Sequence, residues 1–392
     1  MSEAALDSWL AEREAAMLAL LERIVNIDSG SYDHAGVTAV AETIAAFLES
    51  ERVSCEWLPQ TRSGHILRAR VEGPGEAPVL LMGHCDTVFP KGEAARRPFR
   101  IEVGRAYGPG VSDMKAGLVM NAFVLAALRA TGAPCPVLGL FTSDEEIGSP
   151  VSRPVIEATA RGCRAVLNAE PGRPSGNVCT GRKGGVFLRT TVHGRAAHSG
   201  GAYAEGRSAI LALAHKTVAL MGLTDLPAGI TVNVGRIGGG QSVNTVAPEA
   251  WAEIDLRYVK GTDRARMLEA IEAIVATPHV PDTTAELRIE GEFLPLEPTP
   301  GSQELFETYR SCARAVGLAV EGEFSGGCAD SGFTAALGVP TLCSTGPVGG
   351  KGHTPEEYME VPTLVPRARA AARTVLALAA ARDRGRGRGA AQ

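Results

Sequence analysis

The chain contains no CxxC pair, no HExxH, no GxSxG elbow and no GxxxxGK[ST] loop. These absences set aside a dithiol redox motif, a helix-borne zincin site, a serine-hydrolase nucleophile and a P-loop. The nearest approach to a P-loop, Gly350-Lys351, is followed by Gly352 where Ser or Thr is required. Basic charge is not in excess. The formal net charge is -5 and the pI about 6.0, so no global field points to nucleic acid. No unbroken run reaches the roughly 18 apolar residues of a membrane helix. The first residues, MSEAALDSWLAEREAAM, carry acids and lack a long apolar core, so no signal peptide is expected. Eight scattered cysteines fit reduced thiols in a cytoplasmic protein better than a disulfide framework. With 45% hydrophobic and 21% charged residues the composition is globular, and 392 residues predict about two or three domains.

Apolar spacing predicts helices over residues 7–26, with Asp7 as N-cap, and over 36–50, 115–131 and 150–161. Buried strands are expected at 79–82, 137–142 and 165–167, a βαβ rhythm that argues for an α/β sheet. The texture changes near residue 180. Strands at 186–192, 230–234, 251–258 and 285–289, with helices at 206–221 and 263–277, give the order β-α-β-β-α-β, the split βαβ or ferredoxin-like plan. An inserted α+β domain over 181–292 is therefore expected, of a size, about 110 residues, that folds as a unit. Its borders fall at the Gly181-Arg182-Lys183-Gly184-Gly185 segment and in the proline-rich 294–301 stretch. The first texture then returns, with a helix at 302–316, a strand at 340–344 and a helix at 362–381. An α/β domain is thus expected from 1–180 and 293–382, and the arginine- and glycine-rich tail 383–392 is expected to be disordered.

Ligands of open α/β sheets bind outside the carboxyl ends of the strands. Those ends carry Gly83-His84-Cys85-Asp86-Thr87-Val88, Ser143-Asp144-Glu145-Glu146-Ile147-Gly148, Asn168-Ala169-Glu170-Pro171, and a glycine-rich loop that ends in His353. Gly110-Val111-Ser112-Asp113-Met114-Lys115 adds Asp113 at a helix start. Singly, each has a structural reading: a strand-end histidine, a helix cap, an exposed acidic turn. Jointly they bring two imidazoles and several carboxylates to one sheet edge. That donor set suits zinc, or cobalt or manganese. Five ligands with one shared carboxylate would fill a two-metal hydrolytic site, the metals about 3.5–4 Å apart. Cys85 neighbours His84 but alternates to the other side of the extended segment, so it reads as structural.

These segments, together with Ala116-Gly117 and Ser149, resemble the signatures of the dinuclear zinc metallopeptidase family of aminoacylases, succinyl-diaminopimelate desuccinylases and glutamate carboxypeptidases. The resemblance covers nearly the whole chain. It implies an α/β/α catalytic domain carrying an inserted lid and dimerisation domain. Glu146-Ile147-Gly148-Ser149 and the 326–353 segment look closest to the bacterial glutamate carboxypeptidase branch.

Carried over by motif, the resemblance implies that His84, Asp113 and Glu170 bind one Zn2+ and that Asp113, Glu146 and His353 bind the other. Asp86 would orient His84, and the Asp113–Met114 peptide would be cis. Glu145 would be the general base, His198 would stabilise the oxyanion, and Asn244 and Arg257 would contact substrate, Arg257 gripping a carboxylate. A homodimer through the lid is a further implication. Cys328 departs from the expected small residue or threonine, which leaves side-chain specificity open, and Lys183 lies in a hinge that varies between branches. The expected activity is hydrolysis of an amide beside a free carboxylate, releasing a C-terminal amino acid from a peptide or N-acyl amino acid. An aminoacylase or desuccinylase with other side-chain preference is the alternative, and a metal-free binding homologue the reading from another class. No nucleic-acid or membrane partner is expected.

Overall fold

The structure, a computed structural model, describes residues 3–380 and, beyond them, only the backbone of the last helix. The tail 383–392, expected to be disordered, continues the last helix in its backbone to Gly389, and residues 390–392 lie outside the described residues. The chain divides into two compact units: Met1–Gly181 with Pro298–Ser325 and Phe333–Gln392, and Arg182–Glu297 with Gly326–Gly332.

The first unit is built on a six-stranded sheet in the order Ser54–Leu58, Ile66–Val71, Val137–Thr142, Val79–His84, Ala165–Asn168, Thr341–Leu342. The last four strands are parallel, and the first two add an antiparallel hairpin at one edge. Strands Val79–His84, Val137–Thr142 and Ala165–Asn168 are buried at every position. Strands covered on both faces read as unbroken apolar runs, which is why the sequence betrays them. Their register sets His84 opposite Thr142 and Met82 opposite Asn168, so their carboxyl ends align.

Helix Ala116–Thr131 packs between this sheet and the helices Glu3–Ala11, Glu14–Val25, His34–Ser50 and Leu364–Gly389. The segment Val111–Thr131 is long and apolar enough to cross a membrane, although the sequence holds no unbroken apolar run of that length. It is 94% buried inside the protein, and a core helix must be apolar all round.

Several expectations are corrected. The single helix over 7–26 is two, broken where the Arg13 guanidinium turns back to the Trp9 carbonyl at 3.0 Å. Asp7 is no cap: it lies within the first helix and accepts from Arg369 and Arg373, each at 2.6 Å. The hairpin at 54–71 was not anticipated, because its outer strand, Ser-Cys-Glu-Trp-Leu, is half exposed.

The second unit is a four-stranded antiparallel sheet in the order Thr231–Gly239, Glu249–Tyr258, Gly184–His193, Thr284–Phe293. Helices Ala209–Met221 and Gly261–Ala276 pack on it in the chain order β-α-β-β-α-β. Along Glu249–Tyr258 the residues Ala250, Ala252, Ile254, Leu256 and Tyr258 are buried, and Asp255 and Arg257 take the opposite face. The unit runs on to Glu297, and residues 326–332, expected in the first, group with it. The buried Arg182 explains this, donating to the carbonyls of Gly327 and Cys328 at 3.3 Å each.

Gly117 lets the central helix touch the end of strand Ala165–Asn168: a Cβ there would lie 2.0 Å from the Ala169 carbonyl oxygen. Gly117→Ala is expected to cost about 1–3 kcal/mol, read as a lower urea midpoint at unchanged slope. An unchanged midpoint would show that the helix can retreat.

Candidate metal centre

Five elements of the first unit converge. His84 closes strand Val79–His84, Glu145 and Glu146 form the turn Glu145–Ile147, and Glu170 follows strand Ala165–Asn168. Asp113 lies in the turn Val111–Lys115, at non-helical φ -110° and ψ 93°, and His353 in the loop after Gly349–Gly350. The Asp113–Met114 peptide is cis. His84 Nε2 is 3.4 Å from Asp113 Oδ1, 3.5 Å from Glu170 Oε1 and 3.8 Å from Glu145 Oε2. His353 Nε2 is 3.4 Å from Asp113 Oδ2 and 3.2 Å from Glu146 Oε2.

Asp113 therefore turns one oxygen to each imidazole. Among the described residues, three donor groups have ligand atoms within 4.8 Å of one another: His84/Asp113/Glu170, Asp113/Glu146/His353 and His84/Glu145/Glu146. The first two are the sets that the motifs suggested. The third leaves the division of labour between the adjacent glutamates open on distance alone.

The supporting contacts are only partly the expected ones. The His84 Nδ1 hydrogen bond goes to the backbone carbonyl of Asp86 at 3.0 Å, while the Asp86 carboxylate lies 3.3 Å away. That carboxylate is wholly buried and accepts the N–H of Glu145 at 3.0 Å, the N–H of Glu146 at 3.1 Å and the Ser31 hydroxyl at 2.7 Å. Asp86 thus fixes the acidic turn as well as the imidazole. Neither Ser31 nor this second task is visible in the sequence. A further buried acid, Glu357, accepts N–H groups from the Asp113 turn. Its one sequence signal is its position four residues after His353.

Electrostatics follow from crowding. Burial, with the Asp113 charge added, pushes Glu146 up to about 7. Burial also works against ionisation of Asp113, but hydrogen bonds from His353 and His84 outweigh it and hold the group low. Hydrogen bonds to Asp113 and Glu146 lift His353 to about 10. Burial disfavours a charged His84, yet the Glu145 charge and the neighbouring carboxylates of Asp113, Asp86 and Glu170 raise it well above its ordinary value. His84 Nε2 is buried without a hydrogen-bond partner, facing three carboxylates. An imidazole nitrogen so placed, with carboxylate oxygens around it, is a nitrogen–oxygen donor set that fits a zinc-like dication. Cys85, fully buried, is pushed up to about 12 by burial and lacks the character of a ligand or nucleophile.

The remaining expected residues lie in the second unit. His198 is exposed, and its Nδ1 accepts the N–H groups of Gly200 and Gly201 at 3.2 and 3.1 Å, which leaves the proton on Nε2. Asn244 is beside it, its backbone carbonyl accepting the Ser199 N–H at 3.0 Å. Arg257 donates to Asp255 at 2.7 Å, the acid partner of a surface strand arginine, and also contacts the Cys328 thiol.

The family model "Peptidase family M20/M25/M40" matches residues 80–377. The chain belongs to this peptidase family. Carboxypeptidase G2 of Pseudomonas sp. (strain RS-16) is 28% identical over 378 residues, 93% of this chain and 90% of the relative. A metallo-carboxypeptidase of the M20 family from Sulfolobus solfataricus has the same fold, with a TM-score of 0.78 at 19% identity, covering 93% of this chain and 99% of that one. A dipeptidase from Saccharomyces cerevisiae shares the fold too, with a TM-score of 0.74 at 16% identity, covering 96% and 98%. Within the M20/M25/M40 family the chain is a hydrolase of metallopeptidase type, with an α/β catalytic domain and a lid domain.

These partners favour the doubly protonated, charged form of both imidazoles, whereas a metal-ligating imidazole is neutral. Metal loading is therefore expected to release protons, and affinity to fall as pH drops. Calorimetric titration in two buffers of different ionisation enthalpy counts the protons. A binding enthalpy independent of buffer would contradict the expectation.

Proposed function

We propose that the protein is a dinuclear metallohydrolase that cleaves an amide next to a free carboxylate, as a glutamate carboxypeptidase-like exopeptidase releasing a C-terminal amino acid. The observation that carries the proposal is Asp113, one carboxylate whose two oxygens face two separate histidine–carboxylate groups. His84, Asp113 and Glu170 would hold one Zn2+, or Co2+ or Mn2+, and Asp113, Glu146 and His353 the other. When bound, such a pair supplies Lewis acidity and an acidified water.

Glu145 would be the base that accepts a proton from the attacking water and returns it to the leaving amine. Its backbone N–H is held by the Asp86 carboxylate, which fixes the turn. His198 presents Nε2–H, the donor that a developing oxyanion needs. Arg257 offers a planar fork to the substrate carboxylate, with Asn244 as a second contact. Similarity to a carboxypeptidase over nearly the full length supports the exopeptidase reading.

A homodimer through the second unit is part of the proposal. Strand Thr231–Gly239 is an open sheet edge, and Ile237, Ile210, Leu211, Val218 and Met221 are exposed on it and on helix Ala209–Met221. Among the described residues no cysteine forms a disulfide, which supports a reducing, cytoplasmic setting.

Glu145→Ala is expected to keep both metals and lose about 10²–10⁴-fold in kcat. Turnover near the wild-type rate would remove Glu145 from the role of base. A panel of dipeptides, a folate conjugate and N-acetyl, N-succinyl and aromatic N-acyl amino acids, read by mass spectrometry, separates the substrate classes. Release of C-terminal glutamate supports the carboxypeptidase reading, and cleavage of the acyl amino acids alone moves it to the aminoacylase side. Arg257→Ala is expected to raise KM for free-acid substrates while leaving kcat closer to wild type. Equal hydrolysis of acid and methyl ester by the wild type would end the carboxylate-anchor assignment.

A further inference from the structure

Glu357 is completely buried, yet it is neither a member of any of the three donor groups nor part of the apolar core. Its Oε2 accepts the Gly110 N–H at 3.0 Å, and its Oε1 accepts those of Ser112 and Asp113 at 2.8 Å each. Successive backbone N–H groups turned to one point make a nest for an anion. Here the anion is a side chain of the protein, delivered by the loop that also carries His353.

His353 is weakly anchored by comparison with its partners. Its side chain is 55% exposed, against 1% for His84, and its backbone is in the left-handed region at φ 63°. Around it the loop is held by the turn from Lys351 to Thr354 and by the Arg97 guanidinium on the Pro355 carbonyl at 2.8 Å. Glu357 connects this loop directly to the backbone of Asp113. Of the donors to the other site, His84 closes and Glu170 follows a fully buried strand, so that site meets the connection through Asp113 alone, whereas the site with His353 meets it through two of its three donors.

We infer that Glu357 is a positioning residue that registers His353 against Asp113, and so selectively builds the metal site shared by Asp113, Glu146 and His353. This rests on the two-metal reading above. Glutamine cannot replace it: one acceptor oxygen can serve Ser112 and Asp113, but the amide NH2 then meets the Gly110 N–H, donor against donor. Aspartate keeps both acceptors with a shorter reach.

The test is titration of metal-free wild type, Glu357→Gln and Glu357→Asp with Co2+, followed by equilibrium dialysis and by the visible absorption bands of each bound ion. Far-UV circular dichroism monitors the fold. Wild type is expected to bind two ions. Glu357→Gln should keep the first within about threefold and weaken the second about 10–100-fold, as loss of an outer-shell partner does, and Glu357→Asp should fall between. Its kcat should drop with KM little changed.

Equal weakening of both ions, or of neither, would overturn the inference. So would failure of both variants to fold, since the role would then belong to the fold and not to one site. Fewer than two ions on the wild type would instead overturn the two-metal reading itself.

Discussion

One carboxylate shared between two imidazoles is the constraint around which the first unit is arranged. Asp113 can face His84 with one oxygen and His353 with the other only if its backbone leaves helical geometry just before helix Ala116–Thr131 begins. That departure frees the N–H groups of Gly110, Ser112 and Asp113, and a buried polar group left unpaired is costly. Glu357 takes all three. The central helix is then free to be apolar on every side and to serve as the core beneath the site.

The same logic recurs at Asp86. A strand end leaves a histidine and an acid two residues apart, and the acid collects the N–H groups of the neighbouring turn. Two buried carboxylates, Asp86 and Glu357, thus fix the main chain from which Asp113, Glu145 and Glu146 project. Carboxylates clustered this closely repel one another, which is why Glu146 is pushed up to about 7 by burial and the Asp113 charge. A dication bound there would relieve that repulsion.

Much of this was legible in the chain. Parallel strands announce themselves as unbroken apolar runs, and the residue after each run must lie at the ligand-binding edge, so His84, the Glu145-Glu146 pair and Glu170 could be gathered without coordinates. The β-α-β-β-α-β order of the second unit was equally open, because its strands alternate cleanly about buried Ala250, Ile254 and Leu256. What could not be read depends on backbone donors brought from afar. Nothing local marks Ser31 as a partner of Asp86, 55 residues away, or Glu357 as the acceptor for Gly110, 247 residues away. Asp7 misled for the same reason: an acid at a helix start looks like a cap until the arginines of the last helix arrive beside it.

Zinc anomalous diffraction from crystals of the metal-loaded protein tests the central claim most directly. The account predicts two peaks about 3.5–4 Å apart, with Asp113 between them, His84 and Glu170 on one and Glu146 and His353 on the other. A single peak, or two peaks that do not share Asp113, would contradict it.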